Sequence, residues 1–206
     1  MQPLAFDFFC GMGGFSLGLI QAGYRVVGAM DKDFEAMLMY LHNLGEGPVD
    51  IHFTSDKYRE EAERKMEKFF KKAGPVTAGS GWRLNERRSG KYWPGVSHFF
   101  FGDVEEVEGE WILEKLALKK GELDLIVGGP PCQGFSTANR KASPDDIRNR
   151  LVMRYADMIN AMVPKSFAME EVPGITRFKL PDGRTYLEAF IDAVSKELRP
   201  RQLKLF

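Results

Sequence analysis

Short apolar runs alternate with amphipathic stretches along most of the chain. The runs predict strands at residues 4–9, 25–30, 97–102, 123–128 and 166–169. Apolar positions at helical spacing predict helices at 14–22, 34–42, 111–119, 144–162 and 185–198. Strand and helix in alternation imply a mostly parallel sheet covered on both faces, a doubly wound α/β domain. In such sheets ligands bind beyond the carboxyl ends of the strands, so the chemistry is expected in the turns that follow them. One stretch breaks the rhythm. Residues 45–96 hold a charged helical run at 57–72 and then a Gly-rich basic segment, and they read as a charged insertion on a single domain spanning 1–206.

Composition changes this picture little. Across 206 residues, 44% are hydrophobic and 28% charged, an ordinary globular balance. Lys+Arg and Asp+Glu both total 29, so any contact with nucleic acid must come from local basic patches. Two cysteines, Cys10 and Cys132, cannot build a disulfide framework or a cysteine-rich zinc site. No apolar run is long enough to span a bilayer, and the apolar start is interrupted by Asp7 with no basic leader. A soluble, cytoplasmic protein without membrane association is the expectation.

Three strand ends carry candidate chemistry. The first is Asp7-Phe8-Phe9-Cys10-Gly11-Met12-Gly13-Gly14-Phe15, whose glycines permit a sharp turn and close approach of a ligand to the main chain. A dinucleotide fingerprint would place glycine where Ser16 stands, which disfavours a nicotinamide-dependent oxidoreductase. Asp31 ends the second predicted strand, where a carboxylate can accept from ribose hydroxyls, and Asp103 follows the third, placed to accept from an adenine amino group. Each could equally cap a helix. Together they point to an adenosine-bearing cofactor, with Cys10 as a small packed residue.

The second strand end is more specific: Gly128-Gly129-Pro130-Pro131-Cys132-Gln133-Gly134-Phe135-Ser136 follows the apolar run LDLIV. Two prolines stiffen the approach to Cys132, and Gly, Pro and Gln surround it where a buried structural cysteine would have apolar neighbours. A thiolate there is a candidate nucleophile. At the third strand end, Met169-Glu170-Glu171-Val172-Pro173-Gly174 offers two adjacent carboxyl groups, either of which could hold a proton for donation if buried.

The ordered set resembles the cytosine-C5 DNA methyltransferase family. Residues 9–15 match its cofactor motif, 130–136 its Pro-Cys-Gln nucleophile loop and 170–172 its Glu-Asn-Val motif, while 146–151 resemble its Asp-x-Arg-Asn-x-Leu segment. The resemblance implies S-adenosylmethionine as cofactor and a cytosine flipped out of double-stranded DNA as substrate. It implies Cys132 as nucleophile and Glu170 as the partner of cytosine N3. Phe9, Met12, Gly14, Lys32, Val104, Pro130 and Leu151 would line the cofactor, with Asp31 on its ribose and Asp103 on its adenine. Arg140, Lys141, Arg148 and Arg150, beside the nucleophile loop, would contact DNA phosphates. The basic residues of the 45–96 stretch, Arg83 among them, read at least as well as solvated surface.

Two departures from the family pattern bear on function. Glu171 stands where the family has asparagine, replacing a group that donates with one that, ionised, only accepts. After the last predicted helix there is no counterpart of the family's Gln-x-Arg-x-Arg segment or of its target-recognition region. The expectation is the amino-terminal, catalytic portion of a methyltransferase, completed by a second subunit that recognises the target. The rival is a non-catalytic remnant that binds only cofactor or partner.

Overall fold

A computed structural model describes residues 2–74, 77–83, 86, 90, 93–131 and 150–197. They form two compact units, Met1–Val107 and Glu108–Phe206.

In the first unit the elements run β1 (Leu4–Phe8), α1 (Gly14–Gln21), β2 (Arg25–Asp31), α2 (Phe34–Leu44), β3 (Gly45–Phe53), α3 (Asp56–Ala73) and β4 (Val96–Phe101). The strands are all parallel, in the order β3-β4-β2-β1. Parallel strands covered on both faces need apolar residues at successive positions, and β1 and β4 supply them: Phe6, Phe8, Phe99, Phe100 and Phe101 are fully buried. Successive β4 rings part to opposite faces. Phe99 meets Tyr40 of α2, ring centroids 5.4 Å apart, and Phe101 meets Tyr58 of α3 at 5.7 Å. Phe100 packs instead on Phe6 of β1 and on His52.

Strand β3 is the element that the apolar pattern did not predict. Its opening, Gly45-Glu46-Gly47-Pro48, carries turn residues, and only Val49, Ile51 and Phe53 keep the alternation of a strand. It lies at the sheet edge, where proline is tolerated because no donor is needed on the open side. The register against β4 is irregular between Gly45 and Asp50, consistent with a weakly specified start. Arg83 holds that start in place. Only 3% exposed, it donates to the carbonyl oxygens of Gly45 and Trp93 and to Glu46 Oε1 at 2.9 Å. Arg83, for which the sequence left phosphate contact and solvated surface open, is therefore a buried clamp.

Asp7, on β1, is wholly buried. Its Oδ2 accepts from the Ser16 N–H (3.1 Å) and hydroxyl (2.6 Å), and Ser16 Oγ accepts from Tyr40 (2.7 Å). This chain ties β1, α1 and α2 together and explains why serine stands at position 16. Burial, opposed by the Ser16 hydrogen bonds and aided by the charge of Asp31, pushes the Asp7 carboxyl from 3.8 up to about 7. Its folded pKa lies above its unfolded one, so this group's contribution to stability is complete below about pH 4 and is lost as pH rises through 7. Asp7→Asn should flatten the slope of unfolding free energy between pH 4 and 7, a slope of about 1.4 kcal/mol per pH unit where the two states differ by one proton. Urea titrations of both proteins at pH 5 and pH 8 check this; parallel pH profiles would mean that Asp7 does not titrate in this range.

The second unit contains α4 (Gly109–Lys115), β5 (Leu125–Gly128), α5 (Arg150–Met162), β6 (Ser166–Met169) and α6 (Tyr186–Glu197). Strands β5 and β6 pair in parallel. Tyr155 of α5 is fully buried, its hydroxyl donating to the carbonyl of Ala168 at 2.8 Å, and its ring stacks on Phe190 of α6. No helix among the described residues is long and apolar enough to cross a membrane.

Candidate active site

The first unit gathers the predicted cofactor residues at the carboxyl ends of β1, β2 and β4. After β1 the chain turns through three left-handed residues, Phe9 (φ 55°), Gly11 (φ 50°) and Gly13 (φ 95°). For Phe9 this costs about 1–2 kcal/mol, and strain of this kind at a strand end is characteristic of functional turns. A Cβ on Gly13 would lie 2.5 Å from Leu44 and 2.9 Å from Tyr40, so the turn sits hard against α2. Asp31 clamps it from the next strand: one carboxylate oxygen accepts from the Gly11 N–H at 2.8 Å, the other from the Asp33 N–H at 2.9 Å.

The same corner holds Lys32 and Asp103, ion-paired at 2.8 Å, and the Gly102 N–H donates to the Asp31 carbonyl at 3.1 Å. Burial pushes the Asp103 carboxyl up, but hydrogen bonds from Lys32 and the Glu105 N–H, with the charges of Lys32 and Lys57, outweigh it and hold the group below its ordinary range. Asp103 is thus an anion with its geometry fixed from two sides. Val104 is buried at the start of the turn that follows. Met12 is 68% exposed on the tip of the β1 turn, and a Cβ on Gly11 or Gly14 would meet nothing within 4 Å. Beside this open space α1 begins at Gly14; Asp7 takes the N–H of Ser16, and those of Gly14 and Phe15 have no partner within the helix. Backbone donors, two strand-end carboxylates and an exposed apolar side chain are the complement of a nucleoside carrying an amino acid. Cys10, behind the turn, is buried, and burial together with the charges of Asp7 and Asp31 raises its thiol well above the usual range, leaving it protonated.

The second unit holds the other predicted residues. Strand β5 ends at Gly128-Gly129-Pro130, with Pro130 buried. The Glu170 N–H donates to the Gly128 carbonyl at 2.9 Å, and a Cβ on Gly129 would stand 3.1 Å from Glu170 Oε2. The Glu170 carboxyl therefore lies along Gly129, just past the end of β5. Glu171 points elsewhere. One of its oxygens accepts from the Val172 N–H at 3.0 Å, and the other is buried with no hydrogen-bond partner among the described residues. Burial, and then the charge of Glu170, push the Glu171 carboxyl up to about 7. The sequence left open which of the two carboxyl groups matters; Glu170 is exposed, so the burial expected to keep a proton falls on Glu171, while position along Gly129 favours Glu170 for the strand end. Leu151 is buried in the first turn of α5, and Arg150 is exposed at its start. Cys132, Arg140, Lys141 and Arg148 lie outside the described residues.

A family model described as C-5 cytosine-specific DNA methylase matches residues 5–70 and 91–195. Among curated proteins, one from Methanocaldococcus jannaschii described as a type II methyltransferase is 30% identical over 193 residues, covering 82% of this chain and 48% of that protein. A type II methyltransferase of Xanthomonas oryzae pv. oryzae is 29% identical over 192 residues, covering 93% of this chain and 32% of its own length. The chain thus spans about half, or less, of the length of these relatives. A solved structure of a prophage-encoded E. coli protein, described as a DNA modification methyltransferase, superposes with a TM-score of 0.58 at 24% identity, over 95% of this chain and 38% of that one. That likeness shows the doubly wound, Rossmann-like methyltransferase fold.

Proposed function

This chain belongs to the C-5 cytosine-specific DNA methylase family, and on that footing we propose that it is the part of a DNA cytosine-C5 methyltransferase that holds S-adenosylmethionine and supplies the nucleophile. The observation that carries the reading is the Glu170 carboxyl lying along Gly129, in the turn that enters Pro130-Pro131-Cys132. The residues at the ends of β1, β2 and β4 suit the cofactor: Asp31 accepts from ribose hydroxyls, Asp103 from the adenine amino group, and the α1 amide groups face a carboxylate. Bound there, S-adenosylmethionine supplies an electrophilic methyl group.

The protein's own groups do the rest. The Cys132 thiolate forms a bond to C6 of a flipped cytosine, and the displaced electron pair moves towards N3, which Glu170 protonates or hydrogen-bonds. C5 becomes nucleophilic as a result. After methylation, solvent takes the C5 proton, the C6–S bond breaks to expel the thiolate and re-form the C5–C6 double bond, and N3 gives any proton it took back to Glu170, leaving neutral 5-methylcytosine and free Cys132. Arg140, Lys141, Arg148 and Arg150 contact DNA phosphates beside this loop. Target recognition we assign to a second subunit that acts together with this chain.

Asp31→Ala tests the cofactor half. By calorimetry the unaltered chain should bind S-adenosylmethionine, and the variant should bind more weakly by about 1–3 kcal/mol, the cost of leaving buried hydrogen-bonding groups unpaired. No binding by the unaltered chain at millimolar cofactor would favour the non-catalytic remnant.

A further inference from the structure

Helices α2 and α3 leave an open groove of about 680 Å³ that takes no part in the turns just described. Its apolar lining comes from Phe34, Leu38, Met39 and Phe69, and Met39 is 46% exposed there. Its charged lining comes almost wholly from α3: Arg64, Lys65, Lys68 and Lys72, against Glu35 alone. Glu35 is already matched, since it lies 3.9 Å from Lys65, which also pairs with Glu61 at 3.0 Å. The remaining three cations stand four residues apart along one face of α3, and none has an ion-pair partner among the described residues. Of the acids on the same helix, Glu67 is engaged by Lys71 at 2.6 Å and Glu61 by Lys65, while Glu60, one turn before Arg64, makes no ion pair with it among the described residues.

Like charges at this spacing repel one another along a helix. Among the described residues, the arrangement therefore combines an apolar floor open to solvent with a cationic edge that makes no ion pairs. Nucleic-acid phosphates would satisfy the edge and leave the floor wet. A wholly apolar partner would do the reverse. An amphipathic helix with carboxylates flanking its apolar stripe satisfies both, its anchors entering the floor at helical spacing. The stretch from Arg64 to Lys72 covers about 12 Å of helix axis, enough for roughly two turns of a partner.

We propose that the α2–α3 groove docks an acidic amphipathic helix of a partner protein. This docking role is independent of cofactor binding and of methyl transfer, so it stands or falls separately from the proposed activity.

The test uses the full chain and a fluorescein-labelled synthetic helix with leucines at i, i+3, i+4 and i+7 flanked by glutamates. A second helix carries lysines in place of the glutamates, and a mixed-sequence DNA duplex serves as the third probe. Anisotropy titrations should show binding of the acidic helix, weakened at least about tenfold by the combined Arg64→Glu, Lys68→Glu and Lys72→Glu variant, whose edge should in turn accept the lysine-flanked helix. Met39→Asp should weaken the acidic helix without affecting DNA. If the triple variant does not fold, Lys68→Glu alone should still weaken binding about threefold. No binding of the acidic helix, equal binding to the charge-reversed chain, or loss of DNA affinity in place of helix affinity would overturn the assignment. So would self-association of the chain that disappears in Met39→Asp, since the groove's occupant would then be a second copy.

Discussion

Cys132→Ser will abolish covalent capture on DNA carrying 5-fluorocytosine and lower methyl transfer by at least about a thousandfold, because a hydroxyl in its place is a far weaker nucleophile at neutral pH. The expectation rests on sequence position: β5 ends at Gly128, and Cys132 follows four residues later, after the buried Pro130 and its neighbour Pro131. Fluorine at C5 blocks the final elimination, so the thioether to C6 persists and can be seen as a denaturation-resistant band. The measurement is made with the complementing portion present, beside a thermal melt showing that the serine variant is folded. Equal capture by the variant would remove Cys132 from the reaction and leave Cys10, whose buried, protonated thiol is poorly suited to it.

The second large effect concerns the proposed second subunit. The chain by itself should transfer methyl groups to mixed-sequence DNA at least about a hundredfold more slowly than the same chain with a second polypeptide carrying the family's target-recognition portion, since a flipped base must be held from several sides to react. The motive is coverage: this chain spans 48% and 32% of two of its relatives. Labelled methyl transfer by the chain alone, and then with the partner added, decides it. Full turnover by the chain alone would show that it needs no partner, and silence in both cases would support the remnant.

Much of the fold was legible because a covered parallel strand is written as a run. Residues 4–9, 25–30, 97–102 and 166–169 announced β1, β2, β4 and β6 to within a residue at each end. For β5, the expected 123–128 began two residues before the strand does. β3 was hidden for the opposite reason: an edge strand can carry Gly47 and Pro48, and those are the residues that signal turns. The run at 57–72 read correctly as a helix, α3, since its apolar residues recur at helical spacing among the charges. Residues 144–149, expected to open the helix that becomes α5, lie outside the described residues.

At the site, single residues at strand ends were legible and their mutual contacts were not. Asp31 was marked by its position after β2, but its hold on the Gly11 N–H joins residues 20 apart. The Asp7–Ser16–Tyr40 chain left only a faint trace, an acid inside an apolar run. Arg83 left less, because besides the Trp93 carbonyl its partners are Gly45 and Glu46, 38 and 37 residues away, and a basic segment gives no hint of burial. Glu170 and Glu171 are adjacent and chemically alike. Only the backbone geometry separates the one lying along Gly129 from the one folded onto Val172.

The most direct measurement of the central claim follows the C5 proton. DNA carrying tritium at cytosine C5 is incubated with the complemented protein and S-adenosylmethionine bearing a radiocarbon-labelled methyl group, and both labels are counted. Attack on C5 requires one tritium released to water for each methyl group fixed in the DNA, with both signals lost in Cys132→Ser. Methyl transfer without tritium release would place the modification on another atom of the base and contradict the assignment.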